Sequence, residues 1–244
     1  VDNRNCKKYN LAKAMADYIG QINDTVVLHP KPEVQFKPDQ SPVTKLDLEL
    51  SELVERIHQN HFSDSVFYSE EKFSDWKFPM LIVDPLDGTR EYIEGREDWC
   101  LSIAHILDED FNGEGWIYNP LLQKLFSEVQ TLPFEVKSVF QGEVSRWEFS
   151  RGLYQKLKSP KFKISPLGSI AYKLARLSVG ETDFVVSLTP KNIWDIAGGT
   201  ILSQRAGLHF YSEGKLVKKV QKNYRPPLIW CHDEIFPELS ETFS

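Results

Sequence analysis

The segment Asp84-Pro85-Leu86-Asp87-Gly88-Thr89 sets two carboxylates three positions apart at one corner of the chain. The run before it, Met80-Leu81-Ile82-Val83, is apolar at every position. That pattern predicts a strand covered on both faces, with Asp84 at its carboxyl end. Pro85 is expected to stop strand pairing and Gly88 to permit a tight turn. Two carboxylates so close repel one another, and without a cation one of them is driven toward its neutral form. An oxygen-rich corner of this type suits Mg²⁺, which binds a few carboxylates and keeps waters for a substrate. A helix starting after Gly88 would turn the amides of Gly88 and Thr89 toward an anion. Asp-Pro and Asp-Gly are also turn formers, so a plain turn is the competing reading of the hexapeptide.

Three further acidic positions bear on this corner. Glu70-Glu71 follows the short run Val66-Phe67-Tyr68, a second expected strand that could lie beside the first. Trp194-Asp195 precedes the small residues Ala197-Gly198-Gly199 and places a carboxylate at an expected helix start, where it would also complement the macrodipole. Thr44 and Asp47 stand in capping-box spacing with Asp in place of the usual Glu, so Asp47 could cap a helix, serve the site, or do both.

The elements that must position these groups follow from periodicity. Leu11, Met15, Ile19 and Ile22 predict a helix over 9–22, and Leu46, Leu50, Leu53, Val54 and Ile57 predict a second one capped by Thr44. Pro30, Pro32 and Pro38 read as loop or edge strand. Segments 100–107, 115–119 and 124–129 read as a meander. Helices are then expected at 148–158, 168–179 and 194–206, with strands near 183–187, 208–211 and 228–231. Strands first and alternation afterwards predict two packed halves meeting at a cleft. These are 1–130, an α+β half carrying most of the metal ligands, and 131–244, an α/β half completing the cleft.

Of the 244 residues, 41% are hydrophobic and 26% charged, ordinary for a globular chain, and the net charge of -6 lacks the basic footprint of a nucleic-acid binder. An acidic chain that handles phosphate needs local cations. Cys6, Cys100 and Cys231 form neither a disulfide framework nor a zinc motif and are expected as free thiols in a reducing cytoplasm. No run of 18 apolar residues predicts a membrane span, and the first residues lack an apolar signal core. His58, His61, His105, His209 and His232 share no metal spacing. Trp76, Trp99, Trp116, Trp147 and Trp230 read as core or edge residues rather than as a stacking platform. Lys173, Arg176, Lys191 and Arg205 are candidates for contacting a second phosphate, or are simply solvated.

Taken in order, Pro42-Val43-Thr44 with Asp47, Glu70-Glu71, Asp84 through Thr89, Tyr118-Asn119-Pro120, Gly168-Ser169, and Trp194-Asp195 followed after eleven residues by Gly207 resemble the inositol monophosphatase superfamily. Asp87-Gly88-Thr89-Arg90-Glu91-Tyr92, Gly168 through Leu174 and Pro190-Lys191-Asn192 resemble its CysQ-type 3'(2'),5'-bisphosphate nucleotidase branch. The family's inositol-binding carboxylate, about six residues before the Trp-Asp pair, has no counterpart in Ser187-Leu188-Thr189. The resemblance implies an α+β fold, a layered αβαβα sandwich. It implies two or three Mg²⁺ ions held by Glu70, Asp84, the Leu86 carbonyl, Asp87 and Asp195. Glu70 and Thr89, with Thr89 held by Asp47, would orient and activate a metal-bound water. Gly88, Thr89, Gly168, Ser169 and Asp195 would contact the substrate. Lithium sensitivity, a small phosphate-ester substrate and a monomer or homodimer are implied as well.

Three positions depart from the family: Leu208 after Gly207, Ser69 before the Glu pair, and a shortened stretch after Val129. The function expected is hydrolysis of adenosine 3',5'-bisphosphate to AMP and phosphate. An inositol monophosphatase or broad sugar phosphatase is the alternative enzyme, and a catalytically silent phosphate- or metal-binding module the alternative of another class.

Overall fold

Helix α2 (Lys45–His61) buries the expected stripe of Leu46, Leu50, Leu53, Val54 and Ile57, and Thr44 occupies its N-cap in extended backbone. Each of these side chains contributes about 1.5–3 kcal/mol by leaving water, so the stripe decides which way the helix faces. It lies on a five-stranded sheet formed by β3 (Val66–Ser69), β4 (Met80–Asp87), β5 (Cys100–Ile106), β6 (Gly113–Asn119) and β7 (Lys124–Phe126), in that order. The computed structural model describes residues 15, 18–29, 32–38, 40–72, 74–155 and 159–243. Within these, residues 18–27 form helix α1, which packs beside α2 through Tyr18, Ile19, Ile22 and Val26.

The unbroken apolar run of β4 is explained by its two covers. Leu81 and Val83, with Phe67, Leu101 and Ile103, face α2, whereas Met80 and Ile82, with Tyr68, Ala104 and Ile106, face the opposite way. On that opposite side lie α5 (Ile170–Ser178) and α6 (Ile193–Arg205), whose Leu174, Leu177, Ile196 and Ile201 join the same core. Gly115 of β6 lets α6 approach closely, because a Cβ there would collide with the Gly198 carbonyl oxygen.

A second sheet closes the far side of α5 and α6. It contains β8 (Phe140–Ser145), β9 (Phe162–Leu167), β10 (Phe184–Ser187), β12 (His209–Ser212), β13 (Lys215–Leu216) and β15 (Leu228–Cys231), in the order β13-β12-β15-β10-β8-β9. Val185, Leu228 and Trp230 point inward, and Phe184, Val186, Ile229 and Cys231 point outward, where Ile235 and Leu239 of the C-terminal segment with α7 (Phe236–Phe243) cover them. The layers therefore run helix, sheet, helix, sheet, helix, the α+β sandwich expected. Short hairpins complete the chain: β1 (Val34–Phe36) with β2 (Pro42–Thr44), and β11 (Lys191–Asn192) with β14 (Asn223–Tyr224). Among the described residues no helix is long and apolar enough to cross a membrane.

Several expectations are corrected. Pro85 does not end β4: the strand continues to Asp87 through a bulge, with Asp84 opposite Ser102 and Asp87 opposite Cys100. One extra residue in the bulge re-aims the chain without ending the ladder. The first helix runs past 22 to 27 and stops before Pro30, which disfavours helix in the residue preceding it. The part of that prediction at 9–14 and 16–17, with Cys6 and Pro30, lies outside the described residues. The helix expected over 148–158 is a single turn, α4 (Arg146–Ser150), followed by turns in which Gly152 takes a φ of +73°. Residues 156–158 lie outside the described residues. Strands β8 and β9 were not anticipated. Gly142 weakens the strand pattern of β8, yet a side chain there would collide with the Phe184 ring. Pro166 is tolerated because β9 is an edge strand.

Candidate active site

Strands β3 and β4 run parallel, with Ser69 opposite Val83, and the Glu70 amide donates to the Val83 carbonyl. Glu70 and Asp84 therefore leave adjacent strands at the same end. Beyond the bulge, Asp87 and Gly88 lead into α3 (Thr89–Ile93), with Gly88 at φ +100°. A Cβ at Gly88 would stand 2.9 Å from Trp99 Cβ, so both the turn and the packing require glycine. Asp195 enters from the first turn of α6, and Ser169 caps α5. Glu70, Asp87, Gly88, Thr89, Gly168, Ser169 and Asp195 all line one cleft of about 250 Å³. Asp84 lies beneath it, buried.

Every one of these acids is turned toward a protein donor. Glu70 Oε1 accepts from Lys37 Nζ at 2.6 Å, and the same ammonium reaches Glu71 Oε1 at 2.8 Å. Asp84 Oδ1 accepts from the Leu86 amide at 3.0 Å. Asp87 Oδ2 accepts from Ser169 Oγ at 2.5 Å and from the Ala171 amide at 2.6 Å. Asp195 Oδ2 accepts from the Asn192 amide at 2.8 Å, as a helix-capping acid does. Asp47 caps α2 and also reaches Thr89. Its Oδ2 accepts from the Thr44 amide at 2.7 Å, and its Oδ1 accepts from Thr89 Oγ1 at 3.0 Å. Thr89 Oγ1 also lies 3.1 Å from the Leu86 carbonyl oxygen. In this arrangement, no three histidine, cysteine or acidic side chains among the described residues stand close enough to hold one ion.

The electrostatics show what these acids lack. Burial, reinforced by the charges of Glu70, Asp87, Asp195 and Asp47, pushes the Asp84 carboxyl well above the usual carboxylate range. Burial and then the charge of Asp87 raise Asp195 to about 7. Asp87 and Glu70 are raised by burial too, against the hydrogen bonds from Ser169 and Lys37 respectively. Four acids raised by burial, of which Asp84 and Asp195 are raised further by the charges of the others, are an arrangement a divalent cation relieves. The donor set fits a hard cation, since the groups gathered there are oxygens. Redirecting Glu70 to an ion requires releasing Lys37.

The cleft also has a wall that sequence reasoning largely missed. Ser41, Arg90, Ser145, Trp147, Ser187 and Lys191 line it together with the acids. Trp147 is 41% exposed, whereas Trp99, Trp116 and Trp230 are buried. Exposed tryptophan beside a cleft gives no periodic signal, which is why spacing did not reveal it. Of the candidate second-phosphate cations, Lys173 and Lys191 line the cleft. Lys173 is buried, pulled down to about 8 by that burial, and donates to the carbonyls of Leu167, Gly168 and Ser169. Arg176 pairs instead with Glu143 and Glu181, and Arg205 with Glu114 and the Gly113 carbonyl.

The fold, the cleft and the family match that follows agree on one class, the metal-dependent phosphomonoesterases. The profile of the Inositol monophosphatase family matches residues 7–221, and the chain belongs to that family. A fructose-1,6-bisphosphatase/inositol-1-monophosphatase of Thermotoga maritima is 26% identical over 221 residues, covering 82% of both chains. The 3'(2'),5'-bisphosphate nucleotidase CysQ of Escherichia coli K12 is 25% identical over 225 residues, covering 84% of this chain and 89% of that one. Among solved structures, a Thermotoga maritima IMPase superposes with a TM-score of 0.78 at 21% identity, covering 94% of this chain and 96% of the other.

Proposed function

We propose that this enzyme is a Mg²⁺-dependent 3'(2'),5'-bisphosphate nucleotidase that converts adenosine 3',5'-bisphosphate to AMP and phosphate. The observation that carries the reading is that one cleft is lined both by the acids Glu70, Asp87 and Asp195 and by the cations Arg90 and Lys191. A substrate with a single phosphate needs only the acids that would hold metal, whereas a bisphosphate has a second dianion for Arg90 and Lys191. Ser187, a hydroxyl, lines the cleft where a carboxylate would favour a polyol. The likeness to the Escherichia coli nucleotidase agrees with this reading.

Glu70, Asp84, the Leu86 carbonyl, Asp87 and Asp195 would hold Mg²⁺. When bound, the cation supplies positive charge to the phosphoryl oxygens and makes a coordinated water more acidic. The chain's own groups do the rest. Asp47 accepts the Thr89 hydroxyl proton in a hydrogen bond, so the Thr89 oxygen keeps lone pairs to accept from the attacking water and orient it. Glu70, released from Lys37, takes up the proton of that water. Ser169 and the Ala171 amide hold Asp87 in place. The water oxygen bonds phosphorus as the bond from phosphorus to the ester oxygen breaks. The departing oxygen takes a proton from solvent and stays on the nucleoside as a hydroxyl, with inorganic phosphate as the other product.

A panel of adenosine 3',5'-bisphosphate, inositol-1-phosphate and fructose-1,6-bisphosphate, assayed for phosphate release with Mg²⁺, tests the assignment. The highest kcat/KM is expected for the nucleotide, with inhibition by Li⁺. A higher value for inositol-1-phosphate would replace the assignment with an inositol monophosphatase.

A further inference from the structure

Trp147 is held at the cleft by its neighbours in sequence. On one side Arg146 is fastened inward: its Nη1 donates to Glu91 at 3.1 Å and its Nη2 to Asp98 at 2.6 Å. On the other side Glu148 is fully buried and accepts from Ser187 Oγ at 2.9 Å, Thr189 Oγ1 at 2.5 Å, the Leu188 amide at 3.0 Å and the Tyr154 hydroxyl. The two flanking side chains hold the backbone that carries the indole at the edge of the acidic cleft. The ring is 41% exposed there, and the apolar surface it leaves in water is stabilised when a ligand covers it.

Arg90, which also lines the cleft, has no ion-pair partner among the described residues, and its Cζ stands over the Trp147 ring, 6.0 Å from the centroid. Arg151 lies closer, 4.7 Å from the same centroid. At 6.0 Å the guanidinium is at the outer edge of the cation–π range, so it rests only loosely over the indole. Arg90 is exposed and can swing outward to admit a planar base over the ring. Lys191 donates to Thr189 Oγ1 at 3.0 Å, which leaves ammonium protons for an anion.

The geometry points to a slot between Trp147 and Arg90 that receives the planar aromatic base of the substrate, with Lys191 meeting a phosphate borne by the same nucleoside. This rests on the nucleotidase reading and adds the residues that create its preference. An inositol or hexose phosphate presents no π-face to the guanidinium, so the slot discriminates by the base alone.

The test compares kcat/KM for adenosine 3',5'-bisphosphate with that for glycerol 2-phosphate, which has no base, in the wild type and in Trp147→Ala and Trp147→Phe. The ratio of the two is expected to fall roughly 10- to 100-fold in Trp147→Ala and to stay within about threefold in Trp147→Phe. AMP is also expected to quench the wild-type fluorescence but not that of Trp147→Phe, a readout that holds if the alanine variant fails to fold. A wild type that prefers the adenosine substrate, with an unchanged ratio in folded Trp147→Ala, would overturn the slot and leave the nucleotidase reading standing. A wild type with no preference for the adenosine substrate and no quenching by AMP would overturn both.

Discussion

The acids that line the cleft and its cationic and aromatic side chains are fixed in different ways. Asp84 and Asp87 belong to a strand buried between two layers, Glu70 leaves the strand beside it, and Asp195 sits in the first turn of a buried helix. Trp147 and Lys191 project from a single helical turn and a two-residue strand, and what orients them is a set of buried polar bonds around Arg146 and Glu148. On the proposed reading, the reaction's charge would be carried by groups set in the sheet and the first turn of α6, and the choice of substrate by side chains held indirectly. Loss of a carboxylate should end turnover and spare the fold. Loss of a support for the cationic and aromatic side chains should alter stability and preference together.

The largest effect is expected from Asp84→Asn or Asp87→Asn, each lowering kcat/KM for phosphate release on the order of 100-fold or more while circular dichroism stays native. Full activity in either variant would break the division of labour between these two sets of groups. Gly115→Ala should cost about 1–3 kcal/mol in denaturant unfolding, because the added Cβ meets the Gly198 carbonyl where α6 approaches the first sheet. An unchanged midpoint would mean that the sheet and α6 are less tightly joined than the packing shows.

Glu148→Gln tests the indirect support. The hydrogen bonds made to it should be worth about 1–3 kcal/mol, and the loss should depend on pH. Burial alone would raise this carboxyl, but the Leu188 amide, Thr189 and Tyr154 together hold it below its usual range. A depressed folded-state pKa stabilises fully above the unfolded value and is lost as pH falls through the folded one. The wild type's advantage over Glu148→Gln should therefore be complete above about pH 5 and shrink below about pH 4.5 in urea titrations. An advantage that grows on acidification would contradict this. The smallest effect is assigned to Lys37→Met. Lys37 occupies Glu70 and Glu71 where a cation would compete, and burial, which alone would lower it, is outweighed by those two acids, so it stays charged. Removing it should lower the half-saturating Mg²⁺ concentration by a few-fold. A rise would mean that Lys37 supports the metal site instead.

The acids of the cleft were legible in the sequence because strand and helix periodicity announce where each carboxylate must emerge. The run Met80–Val83 and the stripe of α2 told both faces of the first sheet, and the order of short motifs brought Asp195 into the same cleft. Less of the second sheet could be read. Gly142 and Pro166 interrupt β8 and β9 for reasons that exist only in three dimensions, the Phe184 ring and an edge position. The bulge at Pro85 was misjudged as a strand end, because a proline forbids one hydrogen bond and not a whole ladder. Trp147 reads as a core or edge residue in the sequence, and its place at the cleft depends on contacts distant in the chain: Arg146 fastened to Asp98, 48 positions away, and Glu148 to residues 187–189.

The central claim is that Glu70, Asp84, Asp87 and Asp195 close around divalent cations once Lys37 withdraws. A crystal structure of the protein grown with saturating Mg²⁺ and inorganic phosphate addresses it most directly. The account predicts cation density bridging these carboxylates, with the Lys37 ammonium displaced from Glu70. Carboxylates still bonded to Lys37, Asn192 and Ser169, with no cation between them at a Mg²⁺ concentration that supports full turnover, would contradict it.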